Sequence, residues 1–160
     1  MHIRHAALAD LPAITAVEAC CFPPAEAADE AVFRDRLTHY PQHFWLLFID
    51  DALVSFVDGM ATDESDLRDA MYADASLHDP NGRWQMIFGV NTLSQYRRQG
   101  HAERLLRHVI AEAHEAGRAG LVLTCKDALV AFYAKLGFVN EGLSGSSHGG
   151  VRWHQMRLTF

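Results

Sequence analysis

No stretch of this 160-residue chain is rich in lysine or arginine. With 14 Lys and Arg against 20 Asp and Glu, the net charge is −6. Phosphate neutralisation needs clustered positive charge, so nucleic acid is excluded as the main partner. No apolar run approaches membrane-spanning length, and the N-terminus has no signal-peptide core. A soluble, cytoplasmic protein with no membrane partner is expected. Cysteine is scarce: of the three, Cys20 and Cys21 are adjacent, and an odd number cannot form a closed disulfide set. Cys125 reads as a small buried hydrophobe, with no covalent-catalysis constellation around it. The 10 histidines never stand with cysteine or acidic residues at ligand spacing, so no metal is expected. Neither Gly-x-Gly-x-x-Gly nor Gly-Lys-Ser/Thr occurs, and the dinucleotide and P-loop folds fall away. Repeats, low-complexity tracts and linkers are missing too, leaving one domain over residues 1–160.

What is present is globular: 49% hydrophobic and 21% charged residues. Residues 1–6 alternate like an edge strand. Asp10 and Pro12 open a helix that runs to about Cys20, Phe22-Pro23-Pro24 breaks it, and Glu26 to Thr38 makes a second. Phe44 to Ile49 and Leu53 to Met60 are strands joined at Asp50-Asp51. Ala61 to Arg83 is acidic and irregular, with a short helix over Leu67 to Tyr72. Trp84 to Leu93 reads as one long central strand, and His101 to Glu115 as an amphipathic helix burying Leu105, Leu106, Val109 and Ile110. Leu121 to Cys125 is a short buried strand, Ala128 to Leu136 a helix stopped by Gly137, and Val139 to Leu143 and Val151 to Leu158 are terminal strands. The order predicts an α/β (α+β) fold, a mixed twisted sheet of about seven strands flanked by about four helices.

Between the central strand and the amphipathic helix sits Tyr96-Arg97-Arg98-Gln99-Gly100-His101-Ala102. A helix N-terminus leaves backbone N–H groups unpaired and its dipole favours negative charge. Gly100 lets a phosphate approach without a Cβ in the way. A pyrophosphate site follows, with charge added by Arg97 and Arg98.

The spacing Arg-x-x-Gly-x-Ala resembles the coenzyme A pyrophosphate loop of the GNAT acetyltransferases. Phe132-Tyr133-Ala134-Lys135-Leu136-Gly137-Phe138 resembles the Phe-Tyr-x-Lys/Arg-x-Gly-Phe signature late in that domain, and the two motifs in order are far more specific than either alone. Within the superfamily, Leu123 to Val130, Cys21 to Ala28 and Ser147-His148-Gly149-Gly150 resemble arylalkylamine N-acetyltransferases of the non-vertebrate, bacterial and fungal branch. The resemblance runs from about Ile3 to Met156. It implies acetyl-CoA as cosubstrate, with coenzyme A as bound product, and transfer to a small primary amine. It implies that Val90, Asn91 and Thr92 present backbone to the pantetheine arm. Arg97, Arg98, Gln99, Gly100, His101 and Ala102 would hold the pyrophosphate, and Tyr133 would protonate the leaving thiolate. Phe22 and Pro23 fall in the family's first substrate loop.

One departure stands out. The His-x-His pair that relays the amine proton in vertebrate arylalkylamine enzymes corresponds here to Met86 and Phe88, both apolar. Asp58, Asp63, Glu64 and His148 are the remaining candidates for a base, and a water-only route stays open. Asp58 and His148 are also candidates to contact substrate. Between Asp58 and Asp79, five further acids oppose a single Arg68; they form either a solvated face or a field that draws in a cationic amine. A non-catalytic acyl-CoA-binding module and a transferase acting on protein lysines or N-termini remain alternatives. A homodimer is left open.

Overall fold

The computed structural model describes residues 1–146 and 148–160; Ser147 and the side chain of His148 lie outside the described residues. The chain forms two compact units, Met1–Gly59 with Gly89–Val109, and Met60–Phe88 with Ile110–Phe160.

The first unit is built on a four-stranded sheet in the order β1-β2-β3-β6. Its strands are β1 (His2–His5), β2 (Phe44–Ile49), β3 (Ala52–Asp58) and β6 (Gly89–Thr92), and every pairing is antiparallel. Asp50 and Asp51 close the β2–β3 hairpin at φ 50° and 64°, the left-handed pair that a tight two-residue turn needs and that short polar side chains tolerate. Helices α1 (Leu11–Cys21) and α2 (Glu30–His39) pack on this sheet. Asp10 does not cap α1: its carboxylate takes Arg4 at 2.8 and 2.9 Å and the Ala7 N–H at 2.8 Å. The second helix starts later than periodicity suggests because Asp29 caps it, accepting from the Val32 N–H at 3.0 Å. Phe33 anchors the core, edge-on to Phe44 and Phe56 with centroids 6.1 and 6.0 Å away.

The second unit holds a five-stranded sheet in the order β4-β5-β7-β9-β8. These strands are β4 (Ala61–Thr62), β5 (Trp84–Ile87), β7 (Gly120–Cys125), β8 (Val139–Leu143) and β9 (His154–Thr159). Among the described residues only β5 and β7 pair in parallel. Leu121, Val122 and Leu123 at the centre are buried, as a strand covered on both faces requires. Helix α3 (Asp69–Ala73) lies in the acidic segment, and α5 (Val130–Lys135) packs on β9. Helix α4 (His101–Glu115) belongs to the first unit as far as Val109 and to the second from Ile110, and buries Leu105, Leu106, Val109 and Ala113.

Two expectations are corrected. The central strand is two strands, because the pairing of residues 84–87 and of residues 89–92 goes to different sheets and the ladder breaks at Phe88. A two-residue strand, β4, pairs with β5 inside the segment expected to be irregular. The count is nine strands and five α-helices among the described residues. No helix among them is long and apolar enough to cross a membrane.

Candidate functional site

In the first unit β6 is the edge strand of its sheet, paired through β3 alone. The chain leaves it through a 3-10 turn at Ser94–Tyr96 and reaches α4 by way of Arg98 at φ 60° and Gly100 at φ 82°. A bulky residue in the left-handed region costs about 1–2 kcal/mol, so the turn is held by its surroundings. The first bond into α4 runs from the Arg104 N–H to the Gly100 carbonyl, 3.0 Å. The N–H groups of His101, Ala102 and Glu103 lie ahead of it, the donors a helix start offers to an anion. A Cβ on Gly100 would meet nothing within 4 Å, so the approach to this turn is open.

The side chains of the loop divide the work differently from expectation. Arg97 is exposed; its Nε donates to the Thr92 carbonyl at 3.0 Å, and the Cys21 thiol donates to the same oxygen at 3.4 Å. Arg97 thus braces the end of β6. Arg98 and Gln99 are exposed. His101 is buried, with Arg104 Nη1 at 3.1 Å from its Nδ1 and Gln99 Oε1 at 3.2 Å from its Nε2. A guanidinium can only donate, so Nδ1 accepts and Nε2 carries the hydrogen.

Behind β6 lies a cluster that no motif announces. Asp58, 1% exposed, pairs with Arg36, 4% exposed, at 2.8 Å. Burial raises the Asp58 carboxyl against the pull of Arg36. Glu18, from α1, is buried beside them. Its Oε2 accepts the Ala28 N–H at 2.9 Å, which ties the loop containing Phe22 and Pro23 back onto α1. Among the described residues its Oε1 has no partner at hydrogen-bond geometry, nor has either end of the buried Asn91 amide, although Asn91 is near enough to favour the ionised acid slightly. Burial, with the Asp58 charge adding to it, pushes the Glu18 carboxyl up to about 7. Two carboxyl groups share one guanidinium, and Glu18 is the one left without a cation of its own. Asp58, expected as a base or substrate contact, is instead an ion-pair partner inside this cluster. Phe22 is half-buried and Pro23 exposed.

In the second unit Tyr133 sits on α5 with 5% of its surface exposed, edge-on to Phe132 and Phe138 at 5.1 and 5.9 Å. Burial, and then the neighbouring Cys125 and Tyr72, raise its phenol far above the ordinary range. It stays protonated, a state that suits a donor and rules out a base. The Cys125 thiol is itself pushed by burial up to about 11, which agrees with an inert apolar role. Phe88 stacks against Tyr72 at 4.6 Å, and the Tyr72 hydroxyl lies 3.2 Å from Thr124 Oγ1. Met86 is fully buried.

The acids of the segment are exposed and hydrogen-bonded. Asp63 accepts the Arg83 N–H, Glu64 is bidentate with Arg68, and Asp66 takes Gln155 and Arg157. Asp69 accepts from Ser146, and Asp74 from Ser76. Its carboxylates fold the segment. Among the described residues no three His, Cys, Asp or Glu side chains group to hold a metal ion. The candidate base His148 has its side chain outside the described residues.

Glu18 and Arg36 are buried charged residues that motif reading missed, and a signal for both existed. Glu18 follows Leu11, Ile14 and Val17 on the buried stripe of α1, and Arg36 lies between Phe33 and Leu37 on that of α2. A charged residue at a core position of a helix asks for a buried partner.

Residues 10–160 match the family model described as acetyltransferase (GNAT) domain, and the chain belongs to the GNAT acetyltransferase family. Among curated proteins it is 28% identical over 135 residues to a serotonin N-acetyltransferase from Mesocricetus auratus, covering 80% of this chain and 63% of that protein. The chain therefore spans under two thirds of that relative's length. Among solved structures it superposes on the loading GNATL domain of CurA from Lyngbya majuscula with a TM-score of 0.87 and 18% identity, over 99% of this chain and 96% of that one. A GphF GNAT-like decarboxylase in complex with isobutyryl-CoA gives 0.84 and 22%, over 99% of both chains. These two likenesses establish the fold.

Proposed function

We propose that this GNAT family member transfers the acetyl group of acetyl-CoA to a small primary amine of the arylalkylamine or polyamine type. The observation that carries the reading is the turn before α4. There Arg98 and Gly100 hold left-handed backbone, the helix-start N–H groups are clear of the ladder, and the approach to Gly100 is open. The residues named for the cofactor, from Val90 to Thr92 and from Arg97 to Ala102, follow one another along β6 and this turn. Arg97 also braces the strand end through its Nε. Acetyl-CoA supplies the activated acyl group. The backbone of β6 lies at the edge of its sheet, the position from which a strand hydrogen-bonds an extended arm, and Tyr133, kept protonated by burial, donates to the departing thiolate. The small-amine acceptor is supported by the likeness to a serotonin N-acetyltransferase and by the apolar Phe22 beside the loop tied to Glu18.

Coenzyme A release over a panel of arylalkylamines, polyamines and peptides tests this. Turnover with the amines and not the peptides supports the reading. Turnover with peptides alone reassigns the acceptor to protein, and acetyl-CoA binding without turnover makes the chain a binding module. In the same assay Tyr133→Phe should lower turnover by about a hundredfold or more, with acetyl-CoA affinity held. Unchanged turnover would return Tyr133 to packing.

A further inference from the structure

The segment between α1 and α2 is poor in the groups that usually fix a loop. Residues 22–28 read Phe-Pro-Pro-Ala-Glu-Ala-Ala, and the two prolines have no N–H to donate. The Glu26 and Ala27 N–H groups close a turn on the Pro23 carbonyl, both at 2.9 Å. The first and last N–H of the segment both go to Glu18. Phe22 donates to its backbone carbonyl at 3.0 Å, the bond that ends α1, and Ala28 donates to its side-chain Oε2 at 2.9 Å. One buried residue therefore ties the segment at both ends.

Glu18 is itself held against β6. Glu18 and Cys21, three positions apart, share a face of α1. The Cys21 thiol donates to the Thr92 carbonyl at 3.4 Å, and the Glu18 carboxyl lies near Asn91 of the same strand. A Cβ on Gly89 would stand 3.1 Å from Asn91 Nδ2 and 3.3 Å from Asp58 Oδ1, tighter than ordinary contact. The strand therefore closes on the cluster, and Glu18, 6% exposed, is a packed anchor rather than a mobile side chain. Phe22 follows Cys21 directly, so the segment starts beside the edge strand that the reading above gives to the cofactor arm.

We propose that Glu18 is a positioning residue for the acceptor: by tying residues 22–28 to α1 at both ends, it sets the apolar wall that Phe22 presents to the body of the amine. This rests on the acetyltransferase reading. A loop held in its working shape beforehand spares an ordering cost that would otherwise come out of substrate affinity. The wall meets the body of the amine and not the reacting atoms, so its loss belongs in KM and not in kcat.

Glu18→Ala removes the side-chain bond, and Glu18→Gln keeps an oxygen that can accept it. Val17→Ala takes buried volume from the same helix and leaves both bonds in place. Wild type and the three variants are compared in amide hydrogen exchange over residues 22–28 by NMR and in acetyl-CoA affinity. Steady-state kinetics use phenethylamine, or spermidine where phenethylamine is not turned over. Glu18→Ala should speed exchange of the Ala28 amide about tenfold or more. Its KM for the amine should rise about tenfold, with kcat within about threefold of wild type and acetyl-CoA affinity held. Glu18→Gln should recover most of both losses, and Val17→Ala should show neither. The inference is overturned by a Glu18→Ala loss that falls on kcat or leaves KM unmoved, by a Glu18→Gln no better than Glu18→Ala, or by the same rise in KM in Val17→Ala. Each of these leaves the acetyltransferase reading standing. Should Glu18→Ala not fold, wild type decides: an Ala28 amide exchanging as fast as that of the exposed Ala25 overturns the inference, and one protected about tenfold or more supports it. A wild type that binds acetyl-CoA and acetylates neither amine fails the reading itself, and the inference with it.

Discussion

The two units contain the same kinds of charged residue in opposite settings. In the second, Asp66, Glu141, Gln155 and Arg157 form a ladder on the sheet surface: Arg157 reaches Glu141 at 2.9 Å and Asp66 at 3.1 Å and lies over the Trp84 ring at 4.6 Å. The hydrogen bond from Arg157 holds the Glu141 carboxyl below its ordinary value. In the first unit, Glu18, Asp58, Arg36 and Asn91 are all buried, and both carboxyl groups are raised. An ion pair does not by itself lower a carboxyl pKa. Where water solvates the charges, the partner decides; where it does not, desolvation decides, and a second acid without its own cation becomes a proton site.

Breaking the buried side of this comparison should have the largest effect. Arg36→Met leaves Asp58 ionised without a partner, and a loss of about 3–5 kcal/mol is expected in urea unfolding at pH 8. The loss should shrink as pH falls and Asp58 takes up a proton. Adding Asp58→Asn should recover much of it, and a variant pair that stays equally unstable would deny that the ion pair is the cause.

Glu18→Gln sharpens the comparison through pH. The folded pKa of Glu18, about 7, lies above its ordinary 4.5. The folded state therefore binds the extra proton, and the associated stability is fully present below about pH 4.5 and lost as pH rises through about 7. Relative to the variant, wild type should lose on the order of 3 kcal/mol between pH 4.5 and pH 8, read as the difference between two unfolding series. A difference that does not vary with pH would place Glu18 with the ordinary carboxylates.

The exposed ladder should respond least. Glu141→Gln removes one surface pair, for which at most about 1 kcal/mol is expected, fading with salt. A loss as large as that of Arg36→Met would erase the distinction between the two settings.

Sequence alone determined the local layer of this protein. The helical spacing of Leu105, Leu106 and Val109, the apolar run Leu121-Val122-Leu123, the basic turn closed by Gly100 and the Phe132-to-Phe138 segment are all written in neighbouring residues. The forces behind them, i→i−4 hydrogen bonds, side-chain periodicity and left-handed glycine, act over a few positions. Tertiary structure alone decided three things. It broke the strand expected over 84–93 at Phe88, because which partner a strand takes is a matter of sheet pairing. It tied the exposed acidic segment to Arg83, Gln155, Arg157 and Ser146. It also brought Glu18, Arg36, Asp58 and Asn91 together from four separate elements around one glycine. A carboxyl group's proton affinity is set by the water it loses and the charges it meets, and those are properties of the packed chain rather than of any residue's neighbours in sequence.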